Sequence, residues 1–331
     1  MNLFALLDQT AARHGDRGAV YHGERQVHTW ASLRERALRL AGSFREFGPG
    51  ARIAVASENR PEIIELMFAI WAAECVFVPI NFKLHPREME QILEDSGAGR
   101  VFTSPKIAAK LASETSVPIE IIASTEYENR CRAESLTVPR NTEPALLAWL
   151  FYTSGTTGKS KGAMLSHRNL MAMTVAHLAD FDSPDENSSL IHGAPMSHGS
   201  GLYVPPYVLR GARQVVPASG AFDPDEFLDL CERHPGCSAF LAPTMIVMLL
   251  DVEEGVAGLQ APAGQHPPVG GPHGRRLRGL ACGHGDQRAA FSSGQYRRIG
   301  LSTNSLRCSS AVGAMCGMKS TSRPSSGMWS L

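Results

Sequence analysis

Tyr152-Thr153-Ser154-Gly155-Thr156-Thr157-Gly158-Lys159-Ser160-Lys161-Gly162 is the stretch on which the reading of this chain turns. It follows an apolar run, Leu146–Tyr152 (LLAWLFY), that reads as a buried strand. Glycines at 155 and 158 let the backbone curl so that several N–H groups converge on one anion. Hydroxyls at 153, 154, 156 and 157 add short donors, and Lys159 and Lys161 add positive charge. A strand running into such a loop is a cradle for a polyphosphate. The competing reading is an ordinary Ser/Gly turn with solvated lysines. A Walker A loop is excluded, because its first glycine would fall at 153, where this chain has threonine.

Outward from the loop, helical and strand patterns alternate. Leu33, Ala37, Leu38, Leu40, Ala41 and Phe44 recur at helical spacing, and Gly48 is a stop. Arg52–Ser57 reads as a short strand, and Asn59-Arg60-Pro61 opens a helix with proline at its first turn. Val76–Ile80 is a strand, Pro86–Ser96 a helix and Arg100–Thr103 a strand, and Lys106–Ser113 and Pro118–Ala123 continue the alternation. Beyond a polar connection at 131–144 and the loop, Asn169–Ala179, Asp223–Glu232 and Thr244–Asp251 read as helices. Ser189–Ala194, Ala212–Pro217 and Ser238–Ala242 read as strands. Strand–helix–strand repetition with short connections predicts an α/β fold with mostly parallel sheets covered by helices. Trp71 and Trp149 are expected in the core, and Cys75 as inert packing.

The chain has 331 residues, 43% of them hydrophobic, and 32 basic against 32 acidic side chains. That size and apolar share support a sizeable core, and zero net charge gives no pull toward nucleic acid. Seven cysteines without a CxxC pair argue for reduced thiols and a cytoplasmic protein. The N-terminus lacks a secretory pattern, and Leu66–Ile80, interrupted by Glu74, is too short to span a membrane. The neutral total conceals a break. Residues 1–253 carry 30 acids and 23 Lys+Arg, whereas residues 254–331 carry two acids, Glu254 and Asp286, against nine Lys+Arg. The same final stretch holds 14 of the 31 glycines and shows neither helical nor strand period.

Tyr152–Gly162, continued by Ala163-Met164-Leu165-Ser166-His167, resembles the phosphate-binding signature of the AMP-forming acyl-CoA synthetases, the adenylate-forming enzymes. Residues 53–81, 86–104, 241–250 and the segment Pro195-Met196-Ser197-His198-Gly199-Ser200-Gly201 resemble further stretches of that family. Ser160 stands where the family usually has proline. The resemblance covers about residues 1–252 and implies a two-step ligation. A carboxylate attacks the α-phosphate of Mg-ATP, releasing pyrophosphate, and coenzyme A then displaces AMP. It also implies roles: Thr153, Ser154, Gly155, Thr156, Thr157, Gly158 and Lys159 around the phosphates, Thr153 nearest phosphate and Mg2+, Lys161 as the main cation. His198 and Gly199 would line the pocket of a fatty or aryl acid. His198 capping the following helix is the competing reading. A G-x-S-x-G hydrolase elbow is excluded, because it needs glycine at 198.

Later family motifs are not found in residues 254–331: the Tyr-Gly-x-Thr-Glu motif, the ribose-binding aspartate, the hinge and the lid lysine. The expected organisation is a partial AMP-binding domain over 1–252, an irregular basic tail over 253–331 and no C-terminal lid. An out-of-frame or fused tail is the expectation from this composition, and the competing reading is a genuine tail of unrelated function whose Arg275-Arg276 and Arg297-Arg298 could meet polyanions. A catalytically incomplete chain with weak nucleotide-phosphate binding is then the alternative to an active ligase.

Overall fold

The structure, a computed structural model, describes residues 1–138, 142–153 and 160–260 and the strand 280–282, with side chains through residue 251. The chain opens with α1 (Phe4–His14), the hairpin β1 (Gly18–His22) and β2 (Arg25–Thr29), and α2 (Trp30–Ser43). Then β3 (Arg52–Ala56), α3 (Glu62–Ala72), β4 (Val76–Ile80), α4 (Pro86–Ser96), β5 (Arg100–Thr103), α5 (Pro105–Leu111) and β6 (Ile119–Ile121) alternate. A short α6 (Thr125–Arg130) leads to β7 (Leu147–Thr153), β8 (Lys161–Ser166) and α7 (His167–Asp180). The remainder is β9 (Ser189–Ile191), α8 (Gly199–Leu202), α9 (Val204–Leu209), β10 (Arg213–Val216), α10 (Pro224–Arg233), β11 (Cys237–Leu241), α11 (Pro243–Gln260) and β12 (Leu280–Cys282).

Two six-stranded sheets result, ordered β12-β11-β9-β10-β1-β2 and β6-β5-β3-β4-β7-β8. Every pairing among the described strands is parallel except β1 with β2 and β7 with β8, each of which closes one edge. The α/β expectation with mostly parallel sheets is therefore met. The two sheets face each other across a central helical layer. Leu6 and Leu7 of α1, Leu33 and Leu40 of α2 and Ile64, Phe68 and Trp71 of α3 are buried there with Val20 and Trp149. On the outer face of the second sheet, Met89, Ile92 and Leu93 of α4 and Ile107 of α5 cover Ala54, Val78 and Val101. On the outer face of the first, Phe227 and Leu230 of α10 and Ile246 and Leu249 of α11 cover Ile191 and Val215. Both sheets are buried on both faces, which is why their strands read as apolar runs rather than alternating ones.

Three differences from the sequence reading have physical causes. The N-terminal α1 and the β1–β2 hairpin have no counterpart in that reading, although Gly23, at φ 60°, makes the tight turn between His22 and Arg25. The strand β8 escapes it because Lys161-Gly162-Ala163-Met164 lacks β-branched residues; pairing with β7 imposes the conformation. The alternation, expected to stop near 253, continues: α11 runs to Gln260, and Leu280–Cys282 pairs in parallel with β11. The other residues of the expected tail lie outside the described ones. Trp71 and Trp149 are fully buried as expected, and burial pushes the Cys75 thiol up to about 12, which keeps it unreactive.

Of the four buried histidines among the described residues, His167, His177 and His192 are held furthest below the ordinary imidazole range. His167 takes the Leu3 N–H on Nδ1 at 3.2 Å, and His177 packs among Phe181, Tyr203 and Tyr207. His192 is fully enclosed. Burial lowers each to about 4, against roughly 6.5 in an unfolded chain. Between those values the unfolded chain binds more protons, so stability is lost as pH falls from 6.5 toward 4. These three groups give a slope of up to about 4 kcal/mol per pH unit, to which His198 and His234, also lowered by burial, add. The urea midpoint is expected to drop sharply between pH 7 and pH 5. A midpoint that holds constant over that interval would contradict the assignment.

Candidate active site

Along β7 the side chains alternate between the two faces of the second sheet. Trp149 and Phe151 point into the central layer, and Leu150 and Tyr152 point to the outer cluster. Thr153, half-buried, ends the strand on the Phe151 side and is paired in register with Lys161 of β8. Lys161 is exposed. The loop therefore springs from the carboxyl end of a strand parallel to β4, the end where open α/β sheets present ligand crevices. Ser154, Gly155, Thr156, Thr157, Gly158 and Lys159 lie outside the described residues, so of the expected phosphate-holding residues only Thr153 and Lys161 are placed.

Gly162 is fixed by packing. It faces Tyr152 across the hairpin, and a Cβ there would come within 2.9 Å of the tyrosine ring. The Tyr152 hydroxyl donates to Asp95 of α4 at 2.6 Å, and burial together with that carboxylate raises the phenol. The base of the hairpin is thus anchored to the helix beneath it.

His198 approaches from the other sheet. Its ring centroid lies 5.6 Å from that of Phe151, two residues before Thr153, or about 7 Å along the strand. It stands at the N-terminal boundary of α8, but its side chain makes no capping hydrogen bond. Its Nδ1 is instead 3.1 Å from the Ser197 hydroxyl, and burial lowers its pKa. Gly199 is pressed against Phe240 of β11: a Cβ would lie 2.4 Å from the ring. The structure brings Thr153, Lys161, Phe151 and His198 to one end of the sheets, with Gly199, next in the chain to His198, packed on Phe240.

Elsewhere, a cleft of about 280 Å³ opens between the β1–β2 hairpin and residues 57–62. Along its wall Arg60 pairs with Glu62 at 2.8 Å, and Glu58 accepts from the hydroxyl of Ser104, outside the lining, at 2.6 Å. It includes none of the loop residues. Among the described residues, no group of three or more His, Cys, Asp or Glu side chains is placed to hold a metal. No described helix is long and apolar enough to cross a membrane.

The model of the AMP-binding enzyme family matches residues 7–320. The chain belongs to the AMP-binding enzyme family. Within it, this AMP-binding chain is 34% identical over 231 residues to a feruloyl-CoA synthase of Amycolatopsis sp, covering 69% of the chain and 46% of that protein. It is 26% identical over 265 residues to an indoleacetate–CoA ligase of Aromatoleum aromaticum, covering 76% of the chain and 51% of the relative. The chain thus spans about half the length of these relatives. In fold it is similar to the N-terminal domain of FACL13 from Mycobacterium tuberculosis, with TM-score 0.73 and 21% identity over 90% of this chain and 72% of that one. It is likewise similar to the long-chain-fatty-acid-CoA ligase FadD1 from Archaeoglobus fulgidus, with TM-score 0.75 and 19% identity over 90% and 60%. The AMP-binding match continues past the compositional break at 253, in line with the pairing of β12 to β11.

In the sequence the loop stands out by its combination of glycines, hydroxyls and lysines, and His198 by the resemblance of its segment to the family. Asn59 stands out in the sequence only as part of a helix opening, and His192 and Gln214 do not stand out at all, nor does Ser200 beyond its place in that segment. Each is an ordinary polar residue in sequence, and only burial reveals that all four are enclosed.

Proposed function

We propose that this chain provides the phosphate-holding and acid-holding walls of an AMP-forming acid–thiol ligase, which activates a fatty or aryl carboxylic acid with ATP and passes it to coenzyme A. One observation carries the reading: the β7–β8 hairpin sets Thr153 opposite Lys161 at the carboxyl end of the sheet, beside His198. A hydroxyl and an ammonium flanking a glycine- and hydroxyl-rich loop suit a polyphosphate. Ser154 to Lys159 would close around the β- and γ-phosphates. Mg2+ fits as an ion carried in by the nucleotide, held mainly by phosphate oxygens, with the half-buried Thr153 hydroxyl at the root of the loop as one protein ligand. When bound, it neutralises charge on the departing pyrophosphate. Lys161 opposes that charge from the protein side. The relatives' names, a feruloyl-CoA synthase and an indoleacetate–CoA ligase, favour an aryl acid, and the His198–Phe151 pair, tilted 60° to one another, offers ring edges and faces for one to pack against.

The composition after 253 favours a second reading, in which that stretch is out of frame or foreign and the chain binds without converting. Calorimetric titration of residues 1–331 with MgATP, then with ferulate, indoleacetate and decanoate, tests what the two readings share. Saturable MgATP binding that pyrophosphate competes away is expected. No binding of any of these ligands would end the proposal.

A further inference from the structure

Two polar side chains hold the segment 192–200 in place from opposite sheets. Asn59 lies between β3 and α3, in the second sheet's half of the molecule, and is buried. Its Nδ2 donates to the carbonyls of His192 and Ala194, each at 2.8 Å, and its Oδ1 accepts the Met196 N–H at 2.8 Å. Its own N–H donates to the Gly220 carbonyl at 3.0 Å. One side chain thus satisfies three backbone groups of a strand-to-helix connection that belongs to the other sheet. The second hold comes from the first sheet. Gln214 of β10 donates its Nε2 to Ala212, which leaves Oε1 to accept from His192 Nε2 at 3.2 Å. That sets the imidazole tautomer, so Nδ1, 2.8 Å away, accepts from the Ser200 hydroxyl. Burial keeps the ring neutral, as this chain of bonds requires. Glycine at 201 allows the closure, because a Cβ there would overlap the Met196 carbonyl and meet the Trp149 ring.

We infer that Asn59 is a positioning residue. With the Gln214–His192–Ser200 relay it sets the path of residues 192–200, and so holds the His198 ring against Phe151. Its consequence for ligands rests on the proposed role of His198 in the acid pocket. Buried backbone groups deprived of partners cost enough to make the segment re-route rather than stay in place. A displacement of about 1 Å at His198 is sufficient to change how an acid is held.

The first test needs no ligand. In the full chain, labelled at histidine, the His198 ring resonances are assigned by their loss in His198→Gln. Phe151→Leu measures the displacement that the Phe151 ring imposes on them. Asn59→Ala is expected to move the His198 resonances at least halfway to their Phe151→Leu positions. Ser200→Ala, which leaves every Asn59 bond intact, is expected to move them in the same direction by less, and it carries the test should Asn59→Ala not fold. Tyr127→Phe, which removes a buried hydroxyl bonded to Glu65 at 2.9 Å elsewhere in the central layer, is expected to leave them unmoved. Unmoved resonances in both Asn59→Ala and Ser200→Ala would overturn the inference, as would an equal movement in Tyr127→Phe. The second test adds ligands. Asn59→Ala is expected to weaken the acid that the wild-type chain binds tightest by about tenfold, with pyrophosphate affinity within twofold. If wild type binds no acid, the functional reading fails while the resonance test still decides the role of Asn59.

Discussion

Lys161→Ala is expected to slow adenylate formation by roughly 10- to 1,000-fold in a version of the chain whose residues after 253 restore the Tyr-Gly-x-Thr-Glu motif. Lys161 is exposed at the first position of β8 and directly opposite Thr153. Its ammonium is thereby tied to the mouth of the loop by a hairpin ladder, and the ladder is itself pinned through Gly162, Tyr152 and Asp95. Alanine leaves this ladder intact, because Lys161 contributes only its backbone to the pairing. On the proposed reading the loss is one positive charge where pyrophosphate would depart, and charge that develops in the reaction is what such a donor stabilises. Lys161→Arg keeps the charge but replaces a compact ammonium with a planar fork, and is expected to recover part of the rate. Carboxylate-dependent exchange of pyrophosphate into ATP measures all three proteins. An unchanged exchange rate in Lys161→Ala would return the loop to a solvated Ser/Gly turn.

Much of this arrangement is legible in the amino-acid sequence. Pro86–Ser96 and Val76–Ile80 are readable residue for residue, because their boundaries are written locally. Proline opens α4 and Gly97, in the left-handed region, closes it. What stays illegible is what tertiary pairing decides. Nothing in Lys161–Ser166 favours a strand, yet its backbone completes the ladder of β7 and so places Lys161. In sequence, His198 presents only a choice between a pocket wall and a helix cap. The structure removes side-chain capping from that choice and places the ring on Phe151. Asn59 reads as a helix opener, because its three acceptors and donors lie more than 130 residues away along the chain. Hydrogen bonds of that separation leave no local pattern, whereas caps and turns do.

Residues 1–331 on their own are expected to form no acyl-CoA. On the proposed reading, Thr153, Lys161 and His198 would account only for phosphate holding and for one side of an acid pocket. Adenylation by the family's route also needs an aromatic platform for adenine with its magnesium carboxylate, an anchor for the ribose hydroxyls and a lysine from a closing lid. After Asp286 this sequence contains no acidic residue, so no carboxylate from residues 287–331 can fill the first two roles. Such groups act as one unit, so the retention of Thr153 and Lys161 does not offset the loss of the others. The pairing of β12 with β11 shows that backbone beyond 253 can still extend the first sheet. Completing a sheet requires only main-chain groups, whereas completing the site requires particular side chains, so a sequence can lose the second while keeping the first. The measurement is thioester formation with ATP, magnesium, coenzyme A and a panel of fatty and aromatic acids, with Lys161→Ala as the control for a contaminating host ligase. Turnover of any acid by the wild-type chain that vanishes in Lys161→Ala would show that residues 254–331 supply the missing groups after all. It would also favour the ligase reading over the binding-only one. No turnover, together with saturable MgATP binding, would leave the chain as a nucleotide-binding half whose chemistry must come from residues it does not contain.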